Sequence, residues 1–474
     1  MKYISSQNEI TVFWLYDEAI DDATYYLYLD GQKVGETKKS FYTFFNLACD
    51  KEYCVEVYHQ SDLLFKQNIK TTPKKHIVKI DLPSDGSKIL TKEIQKIIDF
   101  CGDNDVIFFP KGTYLTGALY LHSNMEIYLD EGATIQGSSS RLDYLPKIRS
   151  RFEGIENESY ASLINIGKMN HDGVITTSNI YIHGKGNILG GGKALCDDII
   201  GEEIKNFKGE NSYVEAGRNR NRLINISSSE NVIIEGLHLG CSSSWNIHPI
   251  YSNNIYIFSN MIESYGLHNG DGIDPDSSHD VYIFGNTFDV GDDCVAIKSG
   301  KNPEGNKISI PSYNIYIFDC YSIAGHGCSI GSEISGGIYN VDIFNSDFRN
   351  TYHGLQIKTT RKRGAYVKNI RVKNCSFASI NIHTVPYNDD GESSNHLTDV
   401  ENIDVHNVVL EGMMHHKSKP SIETNFIKIS GFEEYNEAFN DISITDVSLI
   451  SEIKKDRGIV VENASNVTIK LKGE

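Results

Sequence analysis

The sequence predicts an all-β protein: a right-handed parallel β-helix preceded by a small β-sandwich. Three observations carry that prediction. A strand-like unit opening on Asn or Asp recurs along the chain from Asn179 to Asn466. The first 75 residues instead alternate apolar and polar side chains in short runs. Finally, Tyr (27) and Phe (20) are abundant while Pro (10) is scarce, a composition that suits strands.

Residues 1–75 read as a sandwich. Their runs are Glu9-Ile-Thr-Val-Phe-Trp14, Tyr25-Tyr-Leu-Tyr-Leu29 and Tyr53-Cys-Val-Glu-Val57, with turn signals such as Asp30-Gly31 between them. Trp14 in an early strand, then Leu47-x5-Tyr53-x-Val55-x-Val57, resembles a fibronectin type III domain. Tyr53 would be its tyrosine corner, bonding back to the chain just upstream. Thr71-Thr-Pro-Lys-Lys75 is a polar linker, and residues 76–474 are expected to form the solenoid that carries the site. The solenoid opens on one amphipathic helix within 85–100, with apolar Ile89, Ile94, Ile97 and Ile98. Such a helix can cap the first coil and protect its edge from pairing.

The repeat follows. Its units include Asn179-Ile-Tyr-Ile, Asn231-Val-Ile-Ile, Asn254-Ile-Tyr-Ile, Asp280-Val-Tyr-Ile, Asn314-Ile-Tyr-Ile, Asn340-Val-Asp-Ile, Asn369-Ile-Arg-Val, Asn402-Ile-Asp-Val, Asp441-Ile-Ser-Ile and Asn466-Val-Thr-Ile. The spacing reads as roughly 23 to 39 residues, in the solenoid range. No helical period lies between units, so helical and leucine-rich repeats are excluded. Asn or Asp before each strand suits a turn through the left-handed region. Unequal spacing implies loops of unequal length, where sites tend to lie.

A net charge of -18 excludes nucleic acid or an anionic membrane as the main partner. No run reaches the length of a membrane-spanning helix. The start, Met1-Lys-Tyr-Ile-Ser-Ser-Gln-Asn8, has no apolar leader core, so a cytoplasmic location is expected. The nine cysteines are scattered, odd in number and without a CxxC pair, which fits a reducing compartment rather than a disulfide framework.

Aligning the repeats brings chemistry together. The step from Asp280 to Asn314 also takes Asp292 to His326 and Cys294 to Cys328. Gly325-His-Gly-Cys-Ser-Ile330 matches His353-Gly-Leu-Gln-Ile-Lys358, and Asp271-Gly-Ile-Asp274 matches Asp293-Cys-Val-Ala296. Asp271, Asp292, Asp293, His326 and Lys358 then share one face of successive coils, roughly 4.7–4.9 Å apart. Crowded carboxylates cannot all ionise freely, so at least one is expected to stay protonated and serve as an acid beside an ionised base. Glycoside hydrolysis needs that division. Any one of these Asp residues alone could simply bond backbone in a turn. Clustered carboxylates on a β-helix also suit a Ca²⁺ site, and hence a polysaccharide lyase. The interposed His and Lys weaken that rival.

Four motifs, in order, resemble glycoside hydrolase family 28, the polygalacturonase family: Asn269-Gly-Asp271-Gly272, Gly291-Asp292-Asp293-Cys294, Gly325-His326-Gly327 and Gln356-Ile357-Lys358. The resemblance covers roughly residues 80 to 470. It implies an inverting hydrolase of α-1,4-galacturonosyl links, with Asp292 as acid, Asp271 and Asp293 activating water, His326 assisting the acid, and Lys358 binding a substrate carboxylate. It implies no metal and no cofactor, and an oligogalacturonide as partner. Gln356 stands where the family motif has Arg, which puts strict galacturonate specificity in question. Arg361 and Arg363 are candidates for the missing charge. Arg151-Phe-Glu-Gly-Ile-Glu156, Trp245-Asn-Ile-His-Pro249 and Gly272-Ile-Asp-Pro-Asp276 resemble the bacterial exo-acting branch. Trp245 and His248 join the candidate substrate contacts on that basis, and Tyr387 as a residue packing on the sugar ring. A hydrolase for another pectic linkage, a Ca²⁺-dependent pectate lyase-like β-helix and an inert sugar-binding β-helix are the competing readings.

Overall fold

The computed structural model describes residues 1–387, 389–450 and 458–473. Every Asn or Asp that opens a repeat unit named above lies in the left-handed region, with φ from 49° to 59°. Short polar side chains tolerate that region best and turn the chain there. Their amides then bond coil to coil: Asn231 to Asn179 (3.1 Å), Asn340 to Asn314 (3.3 Å), Asn369 to Asn340 (3.0 Å) and Asn402 to Asn369 (2.7 Å).

The strands behind those turns stack in parallel. Ile255, Val281, Ile315, Val341, Ile370, Ile403 and Ile442 pair in one interior column and are buried throughout. Burying each such side chain contributes about 1.5–3 kcal/mol. β-branched residues recur because they suit a pleated surface packed on like neighbours. The result is a parallel β-helix.

Another side of the helix carries the site. Leu119–Leu121, Ile164–Ile166, Ile224–Ser227 and Ile247–Ile250 form one short sheet, and Val295–Ile297, Gly327–Ile330 and Gly354–Thr359 begin a second. Between the two sheets the ladder thins to single bridges. Ile273 pairs with Ile247 and Val295, and Asp276 pairs with Ile250 and Lys298.

Three expectations need correction. The step from Asn179 to Asn231 is 52 residues, outside the range read from the sequence. It holds the helices Gly192–Glu203 and Ser212–Gly217, although no helical period was expected between units. A low-contrast apolar pattern hid them. The register is also one residue off the alignment: Val295, not Cys294, pairs with Cys328, and Gly327 pairs with Gly354. The turn between the two sheets makes the difference: past the pair Asp289–Ala324, residues 290–294 on one coil face only 325–327 on the next. The opening helix is shorter than expected, Thr91–Phe100, so Ile89 lies before it and is exposed; Ile94 and Ile98 face the core.

The N-terminal residues form a three-stranded sheet (Lys2–Ser5, Ile10–Phe13, Phe41–Phe44) and a four-stranded one (Tyr25–Leu29, Gln32–Thr37, Glu52–His59, Asp62–Lys70). Trp14 is buried against Tyr25, and the Tyr53 hydroxyl accepts a hydrogen bond from Ala48 N at 2.8 Å. Phe13 and Phe41 pack on Phe284, within a ladder of Phe258, Phe284, Phe318 and Phe344 whose rings stack at 4.5–4.8 Å.

Candidate active site

The register lines side chains into columns. Ile273 on Val295 puts Asp271 beside Asp293, and Val295 on Cys328 puts Asp293 beside His326. The column continues to His353. A second column runs Asp276, Lys298, Gly331, Lys358 and His383. Both columns border a cleft of about 480 Å³ lined by Asp271, Asp292, Asp293, Lys298, His326 and Lys358 among others. The structure brings Asp271, Asp292, Asp293, His326 and Lys358 to one cleft.

Their contacts differ. His326 Nδ1 lies 2.9 Å from Asp292 Oδ1. Burial works to raise the Asp292 pKa, but the His326 hydrogen bond and charge, with Lys358 and Lys298, hold the carboxyl well below its usual range. Burial opposes the imidazolium, yet Asp292 raises the His326 pKa. Asp293 accepts from Ser329 Oγ (2.7 Å) and from Lys358 Nζ (3.1 Å). Asp271 is pushed well above the usual carboxylate range by burial and by Asp274 and Asp292, against the pull of Lys298. Asp271 is thus the carboxyl whose pKa is raised, while that of Asp292, the partner of His326, is lowered.

Nearest donor atoms of Asp292, Asp293 and His326 lie within 4.8 Å of one another. Those atoms could face a cation, but His326 and Lys358 already hold positive charge against both carboxylates. The grouping fits acid–base work better than metal binding.

The other candidates fall into two classes. Tyr387 lines the cleft and is half-exposed, and Trp245 forms its floor, stacked on Phe152 at 4.6 Å. His248 does not reach the cleft. It is fully buried, 3.5 Å from Asp276, and burial pushes its pKa down to about 4. Gln356 is also buried: its amide meets His383 Nε2 at 2.9 Å, and it does not line the cleft. Arg361 points away, paired with Glu434 over the Phe432 ring. Arg363 is fully buried and braces Ser332 O (3.0 Å) and Asp390 O (3.1 Å). Neither arginine supplies the charge that Gln356 lacks.

Sequence reasoning missed Lys298, Glu333, His353 and Arg220, all on the cleft wall. Lys298 had a legible signal: Ala296-Ile-Lys298 repeats Gln356-Ile-Lys358 two coils earlier in one column. An ion-pair cluster beside the cleft was illegible. There Arg218 joins Glu153 (3.0 Å), Glu215 (2.7 Å) and Asp390 (2.7 Å), and Lys301 joins Asp390 (2.7 Å). These ion pairs tie together segments far apart in sequence, beside Glu153, Tyr213 and Val214 of the cleft wall.

Comparison with known proteins extends the geometry. The sequence model of the glycosyl hydrolases family 28 matches residues 141–466. An exo-poly-alpha-D-galacturonosidase of Dickeya chrysanthemi is 28% identical over 333 residues, 64% of this chain and 55% of that protein. The chain thus spans little more than half the length of that relative. A family 28 exopolygalacturonase of Yersinia enterocolitica shares the fold over 99% of this chain and 98% of its own, with a TM-score of 0.81 at 21% identity. A hyperthermoactive exopolygalacturonase of Thermotoga maritima aligns over 83% of this chain and 92% of its own, with a TM-score of 0.68 at 25% identity.

Proposed function

The chain belongs to glycosyl hydrolase family 28, and from that premise we propose that it is an exo-acting hydrolase of α-1,4-linked oligogalacturonides that works with inversion. The observation that carries the proposal is the stack of Asp271, Asp293 and His326 in one column, with Asp292 on His326 and Lys358 on Asp293. Lys358 neutralises a uronate carboxylate in the cleft. A bound sugar excludes water from Asp292 and weakens the hold of His326 and Lys358 on its negative charge. The proton resting on His326 then passes to Asp292, which delivers it to the leaving oxygen. Asp293 and Asp271 face the attacking water and take its proton. General acid–base help of this kind contributes about 10²–10⁴-fold.

Exo action is supported by the likeness to an exo-poly-alpha-D-galacturonosidase and fits the ion-pair cluster of Arg218 and Asp390 beside Glu153 of the cleft wall. Incubation with a defined tetragalacturonide tests the reading. Galacturonate should be the first product at early times. A spread of dimers and trimers from the outset means endo action. No cleavage moves the substrate to another pectic linkage, the reading that Gln356 favours. A product absorbing in the near ultraviolet, lost in chelator, means a Ca²⁺-dependent lyase instead.

A further inference from the structure

Asp274 stands in an unusual position. It is fully buried, and neither carboxyl oxygen accepts a hydrogen bond among the described residues. Asp271 Oδ1 is likewise buried without a donor. Among the described residues one ammonium forms ion pairs with both groups: Lys298 Nζ lies 3.3 Å from Asp274 and 3.8 Å from Asp271. The same ammonium stands 3.8 Å from Glu333 and 4.8 Å from the centre of the Trp245 ring. One positive charge thus faces three buried carboxyls at distances too long for strong hydrogen bonds. A buried carboxylate without donors is destabilising by several kcal/mol. The cluster balances when Asp271 and Asp274 hold one proton between them.

We propose that Lys298 and Asp274 are positioning residues for the water-activating base, forming with Asp271 a buried triad in which two carboxyls share one proton beneath one ammonium. The triad sets the pH at which Asp271 is free to take a proton from water. The inference rests on the reading of Asp271 as a base. Every charged group facing Asp271 enters the balance: Asp274 in its own segment, Lys298, Asp292 and Asp293 on the next coil, Glu333 beyond Lys298, and Arg222 two coils before. Burial is the largest influence on both carboxyls, and Asp274 is pushed up to about 7. Lys298 opposes the rise for both. The two groups titrate as a pair rather than as separate sites.

Opposite variants give opposite signs. Asp274→Asn removes a negative neighbour and offers an amide donor, so Asp271 ionises more readily. The acid-side limb of kcat/KM should move down by about one pH unit or more. Lys298→Met removes the cation, and the same limb should move up by a similar amount. Lys298→Arg keeps the charge and should leave the limb near its wild-type position. Infrared titration of the substrate-free protein reads the shared proton directly. The wild-type-minus-Asp274→Asn difference should show a protonated-carboxyl band persisting to about pH 7.

That spectrum does not depend on the substrate. If the band is present but no galacturonide is cleaved, the triad stands and the functional reading fails. If the band is absent, or the two limbs move together or not at all, the triad is wrong. Loss of preference for galacturonate over its methyl ester in Lys298→Met, with an unmoved limb, makes Lys298 a substrate ligand and also overturns the proposal. Should Lys298→Met show no cooperative melting, Asp274→Asn, Lys298→Arg and the infrared difference decide it.

Discussion

The coils that carry Phe284, Phe318 and Phe344 on one side carry Asp293, His326 and His353 on another. On the first side each coil repeats the residue of the coil before, and like satisfies like. Phenyl rings stack at 4.5–4.8 Å and the N-terminal sandwich covers them. On the second side the residue changes at every step, and buried groups are left short of partners. Asp271, Asp274 and Trp245 all keep polar atoms without a hydrogen bond among the described residues. One scaffold therefore supports two regimes: repetition gives stability, and broken repetition gives a site. Active sites commonly hold the perturbed groups that a stable fold otherwise avoids.

That contrast predicts separable effects. Asp292→Asn should lower kcat/KM on an oligogalacturonide by about 10²–10⁴-fold, the range of a lost general acid. Its melting temperature should stay near wild type, read by calorimetry. Full activity in this variant contradicts the role given to Asp292. Phe284→Ala acts on the other side. It should destabilise the protein by about 3–5 kcal/mol in denaturant titration, as for other buried Phe truncations. Turnover per folded molecule should be unchanged, and a matching loss of turnover would mean the two sides are coupled. Asn340→Gly keeps the left-handed turn but removes two rungs of the Asn ladder, to Asn314 and from Asn369. The expected loss in denaturant titration is about 1–2 kcal/mol, from a net value of about 1 kcal/mol per hydrogen bond.

The smallest effect is a pH dependence where sandwich meets solenoid. Asp319 accepts from Ser40 N at 2.6 Å, yet burial raises its pKa to about 7. A carboxyl raised on folding gives stability that is complete below its unfolded pKa, about 3.9. That stability fades as pH rises through about 7. Wild-type melting temperature should fall between about pH 4 and pH 7 and level off above, and Asp319→Asn should flatten that slope. An unchanged slope would assign the dependence to another group.

Much of this was legible in the sequence because the fold is periodic. Each Asn or Asp that opens a strand announces a coil, and the four motifs announce a cleft. What stayed hidden is what periodicity does not encode. Unequal turns before Val295 and Cys328 shifted the register by one residue, and the 52-residue step concealed two helices. Arg361 and Arg363 looked like free cations beside Lys358. They lie in the turn after the strand Gly354–Thr359, where strand alternation does not apply, and local loop geometry buried one and turned the other outward. The ion pairs of Arg218 join segments with no common period, so no repeat could reveal them.

Galacturonate released from a tetragalacturonide, followed by NMR before its anomers equilibrate, tests the acid–base assignment most directly. Asp292 and Asp293 approach more closely than the roughly 6.5–9.5 Å usual for an inverting acid and base. Inversion therefore requires water held by Asp271 with Asp293 opposite the Asp292 acid. The assignment predicts monomer that appears first as the β anomer. Monomer appearing first as the α anomer would instead make one of these aspartates a nucleophile and contradict it.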